Sequence, residues 1–119
     1  MKFFGAAGAI GLILGVGLGA FGAHTLREHV SGNMLAVFET GLRYQMYHSI
    51  ALVVVAAFAD KGRCFRYAGV FYILGIILFS GSLYVLALAN VPGLWIVTPL
   101  GGLSFLAGHI FLLIGFLKS

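Results

Sequence analysis

The stretch YQMYHSIAL, residues 44 to 52, packs two phenols, a carboxamide and an imidazole into its first five positions. An imidazole can donate, accept, ligate a metal or carry a proton, and a neighbouring amide or phenol can fix its tautomer. Tyr44, Gln45 and His48 lie three or four residues apart, so on a helix they share a face. His24 closes the sequence GAFGAH, and Ser80, Ser82, Tyr84 and Thr98 add hydroxyls in SGSLY and TPLGG. Two imidazoles, His24 and His48, suit axial ligation of haem or a metal. Without a cysteine or carboxylate beside them they form a sparse metal set, and no metal site is assigned. Catalysis has still less material. The only acids are Glu28, Glu39 and Asp60, all at expected span ends, so no nucleophile, base and acid converge. The GxGxG at 15–19 follows no strand and carries no nucleotide-binding meaning.

The elements that position these groups follow from composition. The chain has 119 residues, 61% hydrophobic and only 8% charged, against roughly a quarter charged in soluble domains. Such a chain belongs in a lipid bilayer. Its seven basic residues are scattered and form no nucleic-acid stripe. Cys64 is the only cysteine, which excludes an internal disulfide. Phe3 to Ala23 is uncharged and as a helix spans about 31 Å, the thickness of a hydrocarbon core. A second segment starts at Met34, with Asn33 as N-cap. The long stretch from Tyr67 to Leu117 is broken by NVPGLW at 90–95 and restarts at Thr98 as N-cap with Pro99 at the first helical position. The expectation is an all-α, four-span membrane bundle in one domain, with helices over 3–28, 34–59, 66–89 and 99–117.

Small residues mark the packing faces. Ala7, Gly11, Gly15, Gly19 and Ala23 recur every fourth residue, and Gly22 lies beside them. Such faces let helix backbones approach closely in lipid. This spacing also argues for a retained first helix rather than a cleaved signal peptide. Gly101, Gly102, Ser104, Gly108 and Gly115 form a similar set in the last helix. Lys2, Lys61, Arg63, Arg66 and Lys118 fall on one side, and Arg27 and Arg43, offset by Glu28 and Glu39, on the other. The positive-inside rule then puts both termini in the cytoplasm. Glu39 and Arg43, four apart, are expected to pair.

On this layout the polar clusters occupy the outer half of the membrane. His109 falls near the midplane, level with Ser80, and reads as a satisfied core histidine rather than a proton relay. Gln45 and His48 are expected to hydrogen-bond across the bundle to His24, Tyr84 or Thr98. Tyr44 and Tyr47 lie nearer the interface.

Four stretches, GAFGAH (19–24), TGLRYQMYH (40–48), LFSGSLYVLAL (78–88) and TPLGGLSFLAG (98–108), together resemble the YwdK/YgdD-like small membrane proteins, the domain of unknown function 423 family. The resemblance spans nearly the whole chain. It implies a multi-pass protein of the bacterial plasma membrane and no assigned activity. The positions it carries over are Gly19, Gly22, His24, Thr40, Gly41, Tyr44, Gln45, His48, Ser80, Gly81, Ser82, Tyr84, Thr98, Pro99, Gly101, Gly102 and Phe105. Glu39, Arg43 and His109 lie outside it.

The function expected is that of a non-catalytic structural or accessory protein, acting through the polar layer and glycine-lined faces. Its partners are the bilayer and either another membrane protein or a second copy of the chain. The alternative is a small-ligand site in the layer for haem, a quinone or a lipid headgroup. A channel or transporter fits least, because four short helices hold neither a charged ring nor an inverted repeat.

Overall fold

Charge-free runs long enough to cross a bilayer become four antiparallel helices in the computed structural model, which describes residues 2–89 and 91–119. Helix α1 covers Lys2–His24 and α2 covers Gly32–Phe58, joined by a 3₁₀ turn at Leu26–Glu28. A second 3₁₀ turn, Ala59–Lys61, leads into α3, Arg63–Ala89. Within α3 the residues Ile76–Ser80 form a π turn. Helix α4 covers Leu94–Lys118.

Two helix starts differ from expectation. Helix α2 begins at Gly32 and is capped by Ser31, whose hydroxyl accepts the Met34 N–H at 3.1 Å, not by Asn33. Helix α4 begins at Leu94, so Thr98 is not its N-cap and Pro99 is not its first residue. Gly93 caps it instead at φ 89°, a left-handed backbone that only glycine adopts without strain. Pro99 inside the helix has no N–H to give, so the Trp95 carbonyl lacks its usual donor four residues on. Asn90, part of the expected break, lies outside the described residues. The expected Glu39–Arg43 pair does not form either. Arg43 turns to the Thr40 hydroxyl at 3.3 Å, which lies on the same face one turn back.

Glycines set how closely the helices meet. In α1 the buried positions are Phe4, Gly8, Gly15 and Gly22. A strict every-fourth stripe turns by about 40° per step around a helix of 3.6 residues per turn. The stripe therefore drifts off the contact, and Ala23 is exposed. Gly8, absent from the expected set, takes the closest approach to the α2 backbone. A Cβ there would stand 2.7 Å from the Ser49 carbonyl oxygen. Gly11 faces the Ser49 hydroxyl, Gly15 faces Met46, Gly19 faces Leu42 and Gly22 faces the Phe38 ring.

The α3–α4 contact is tighter. Gly101 lies on the backbone of Phe79, inside the π turn, where a Cβ would stand 2.7 Å from the Phe79 Cα. A π turn widens the helix and pushes its backbone outward, and a glycine opposite makes room for it. Gly108 and Gly115 receive the rings of Tyr72 and Phe65, and Gly75 receives that of Phe105. Gly102 differs, since a Cβ there would be 3.9 Å from Phe79, in ordinary contact. It is not a packing glycine.

Candidate functional site

Gln45 and His48 share one helix but serve two separate clusters. Gln45, buried on α2, donates through Nε2 to the Gly11 carbonyl of α1 at 2.8 Å. Its Oε1 accepts the Tyr84 hydroxyl of α3 at 2.5 Å. One amide thus ties three helices. Ser80 continues the clasp, donating to the Gly41 carbonyl at 2.6 Å. Toward the Thr98 end of the bundle, the Ser82 hydroxyl lies 2.9 Å from the Phe79 carbonyl and 2.5 Å from the Thr98 hydroxyl. Thr98 lies a longer 3.5 Å from the Leu94 carbonyl, which makes it the better-placed donor to Ser82. Each of these side chains has a partner among the described residues, whereas the Ser49 hydroxyl, buried against Gly11, has none.

His48 is 4% exposed and stacks on Phe105, with ring centroids 3.5 Å apart and planes 9° apart. Its Nδ1 lies 2.7 Å from the Tyr44 carbonyl, its Nε2 lies 3.1 Å from Nε2 of His109, and the His109 Nδ1 lies 2.8 Å from the Tyr72 hydroxyl. A carbonyl only accepts, so for neutral rings the chain of donors is determined. His48 donates from Nδ1 to Tyr44, His109 donates from Nε2 to His48, and Tyr72 donates its hydroxyl proton to His109.

The histidine cluster opens sideways. Between α2 and α4 lies a groove of about 680 Å³ whose lining includes Tyr44, Tyr47, Phe79, Gly102, Phe105 and His109. His48 and Pro99 also border it. Its floor is aromatic, and His109, although bonded at both nitrogens, is exposed to it. The Tyr44 and Tyr47 hydroxyls, at the rim, make no hydrogen bond among the described residues. No carboxylate lines the groove.

Of the polar residues expected in one layer, Gln45 meets Tyr84, and Ser82 meets Thr98. His48 meets none of the partners expected for it. Met46 packs by Gly15 and Ser49 by Gly11, so His48 stands level with residues between 11 and 15. His24 is nine or more residues above that level, roughly 13 Å at 1.5 Å per residue, and exposed. The two imidazoles cannot flank one haem. Among the described residues no group of three or more His, Cys, Asp or Glu side chains is placed to hold a metal. His109 is not level with Ser80 either. Counted from Leu94 it lies fifteen residues into α4, opposite Tyr72. Tyr72 was overlooked, although a tyrosine fully buried among apolar neighbours needs a partner for its hydroxyl.

Known proteins resemble this chain along nearly its whole length. The model of the family described as "Protein of unknown function (DUF423)" matches residues 18–102. The chain belongs to that family. It is 44% identical to the UPF0382 membrane protein YwdK of Bacillus subtilis (strain 168), over 99% of this chain and 98% of that protein. It is 42% identical to the UPF0382 inner membrane protein YgdD of Escherichia coli (strain K12), over 92% of this chain and 86% of that protein. A UPF0382 membrane protein of Staphylococcus haemolyticus (strain JCSC1435) is 40% identical over 99% of this chain and 98% of its own length. No solved structure matches significantly. Four apolar helices and these relatives place the chain in the bacterial inner membrane as a multi-pass protein. The family carries no assigned activity.

Proposed function

We propose that this family member is a non-catalytic binding protein for a flat, lipid-soluble molecule with a polar, quinone-like head. The site is the groove between α2 and α4. One observation carries the reading. A groove of about 680 Å³ is open toward the lipid, floored by aromatic rings and rimmed by two tyrosine hydroxyls that have no partner among the described residues. Ligand sites of several hundred Å³ that are mostly apolar with a few placed polar groups are the usual form of small-molecule pockets. A planar ring would lie against Phe105, Phe79 and His109, and its oxygens would meet Tyr44 and Tyr47. An accessory role exercised through the outer polar layer has less support, because Gln45, Ser80, Ser82, Tyr84 and Thr98 already bond within the chain.

The test is saturable binding of a short-tailed quinone analogue to the purified protein, compared with Gly102→Leu. Gly102 has space beside it, so leucine fills the groove without forcing the helices apart. Binding is expected to weaken at least about tenfold, a loss of roughly 1.4 kcal/mol, with the helical fold unchanged. Absence of saturable binding, or an unaffected Gly102→Leu, rejects the reading.

The orientation we propose puts the side holding Lys2, Lys61, Arg63, Arg66 and Lys118 in the cytoplasm. A cysteine introduced at exposed Ser119, with Cys64→Ser, should react with a membrane-impermeant maleimide only after permeabilisation. Labelling of intact cells reverses the orientation.

A further inference from the structure

A second cavity lies at the opposite end of the bundle from the Tyr44 rim, and it has a different character. About 390 Å³ in volume, it sits between the start of α3 and the end of α4, lined by Lys61, Arg63, Tyr67 and Lys118, with Gly62 and Gly115 among the residues that keep it open. Gly115 is buried beneath the Phe65 ring. Any side chain at 115 would press on that ring, where a Cβ would stand 3.0 Å away.

We propose that this cavity binds the phosphate head of an anionic phospholipid. Three cations converge on it, and none makes a hydrogen bond or ion pair among the described residues. Asp60, the nearest acid in sequence, is exposed and is not among the lining residues. Unneutralised like charges around one concavity repel unless an anion sits among them. Arg63 and Tyr67, four apart, share a face of α3. The Tyr67 ring is fixed edge-on against Phe111 at 5.4 Å, while its hydroxyl has no partner in the chain. The cavity thus offers a guanidinium, two ammonium groups and a phenol hydroxyl, all donors suited to phosphate oxygens. Helix α3 begins here without a side-chain cap, so its first-turn N–H groups add to the positive potential.

Position selects the source of the phosphate. The cavity lies where the helices end, at headgroup depth, and its wall continues through the Tyr67, Phe111 and Phe71 rings, packed in series between α3 and α4, with exposed, apolar Val70 and Leu74 beside them on α3. A phospholipid can fill both parts, head in the cavity and acyl chains along the wall. A free anion fills only the first. Basic pockets between spanning helices are a recurrent form of lipid-headgroup site. This inference is independent of the groove between α2 and α4.

Native mass spectrometry of the purified protein, offered equal phosphatidylglycerol and phosphatidylcholine, tests it. Phosphatidylglycerol should be retained preferentially, and the preference should fall roughly fivefold for each cation removed in Arg63→Gln and Lys118→Gln. Arg27→Gln, at the opposite end of the bundle, should leave it unchanged. In the unmutated protein the preference should also shrink as ammonium acetate is raised, as screening requires, which tests the idea without any variant. Equal retention of the two lipids, a preference that survives the double variant, or indifference to salt overturns the proposal. Displacement of phosphatidylglycerol by inorganic phosphate at millimolar concentration overturns the lipid assignment.

Discussion

The Gln45 clasp and the His48 cluster lie one helical turn apart on α2, yet they put their polar atoms to different use. Around Gln45 the amide and the Tyr84 and Ser80 hydroxyls each meet a partner on another helix, and Gln45 itself is buried. Around His48 the hydrogen-bond chain is equally complete, but its middle member, His109, lies on the wall of an open groove. A group satisfied and sealed can only hold helices together. A group satisfied and accessible can exchange its partner for a ligand at little cost. In a bilayer an unpaired polar group costs several kcal/mol, so a site must either keep its partners or be open to new ones. This chain has one cluster of each kind.

Both clusters depend on α4 lying flush against the π turn of α3, and Gly101 permits that contact. Gly101→Leu should be the most damaging substitution, because its Cβ meets Phe79 backbone rather than a movable side chain. A loss of about 3 kcal/mol or more is expected, seen as a large drop in thermal midpoint in detergent. Near-normal stability would mean the two helices are not in backbone contact, and the comparison would lose its common frame.

Gln45→Leu should come next. It leaves the half-buried Tyr84 hydroxyl without its partner and takes from the Gly11 carbonyl, still bonded within its helix, a second donor, at a cost of about 2 kcal/mol. Binding in the groove should persist, since no Gln45 atom lines it. If binding fails while the fold holds, the two clusters are coupled rather than separate.

The spans were legible in the sequence because charge is so costly in lipid that Lys2, the basic loop and Lys118 delimit the helices. The Gln45–Tyr84 contact could be anticipated from the same layout. What was hidden depended on helix starts. Taking Thr98-Pro99 as the beginning of α4 set His109 too shallow by about 7 Å at 1.5 Å per residue, which matched it to Ser80 and concealed Tyr72. The π turn at Ile76–Ser80 has no residue signature, and the need for glycine at 101 follows only once it is seen. Gly8 falls outside an every-fourth pattern because the contact line through Gly8, Gly11, Gly15, Gly19 and Gly22 mixes steps of three and four. His109 lies outside the four motifs that carry the family resemblance, yet it completes the histidine cluster.

A smaller effect is expected at the open cluster. His109→Leu removes two hydrogen bonds and leaves the buried Tyr72 hydroxyl unpaired, but it also replaces an exposed imidazole by a side chain that lipid accepts. A net loss of about 1 kcal/mol is expected, partly recovered in the double variant with Tyr72→Phe. Full additivity of the two losses would show that the ring and the phenol do not interact.

The smallest expected effect tests the direction of the donor chain. Tyr72→Phe alone should cost only about 0.6 kcal/mol, the usual value of one hydrogen bond between membrane helices. Its value lies in what the rings then report. Because the Tyr44 carbonyl can only accept, His48 must carry its proton on Nδ1, which leaves Nε2 to accept from His109 and forces that ring into the Nε2–H form. Nitrogen-15 NMR of labelled histidine should resolve the opposite tautomers in the unmutated protein. In Tyr72→Phe, His109 loses the donor to its Nδ1 but keeps His48 as an acceptor, so both tautomers should persist while the His109 Nδ1 resonance moves. A proton on His48 Nε2 would reverse the chain and break the bond to the Tyr44 carbonyl. His48 would then be free to turn toward the groove, and the open cluster would hold two ligand-facing imidazoles rather than one.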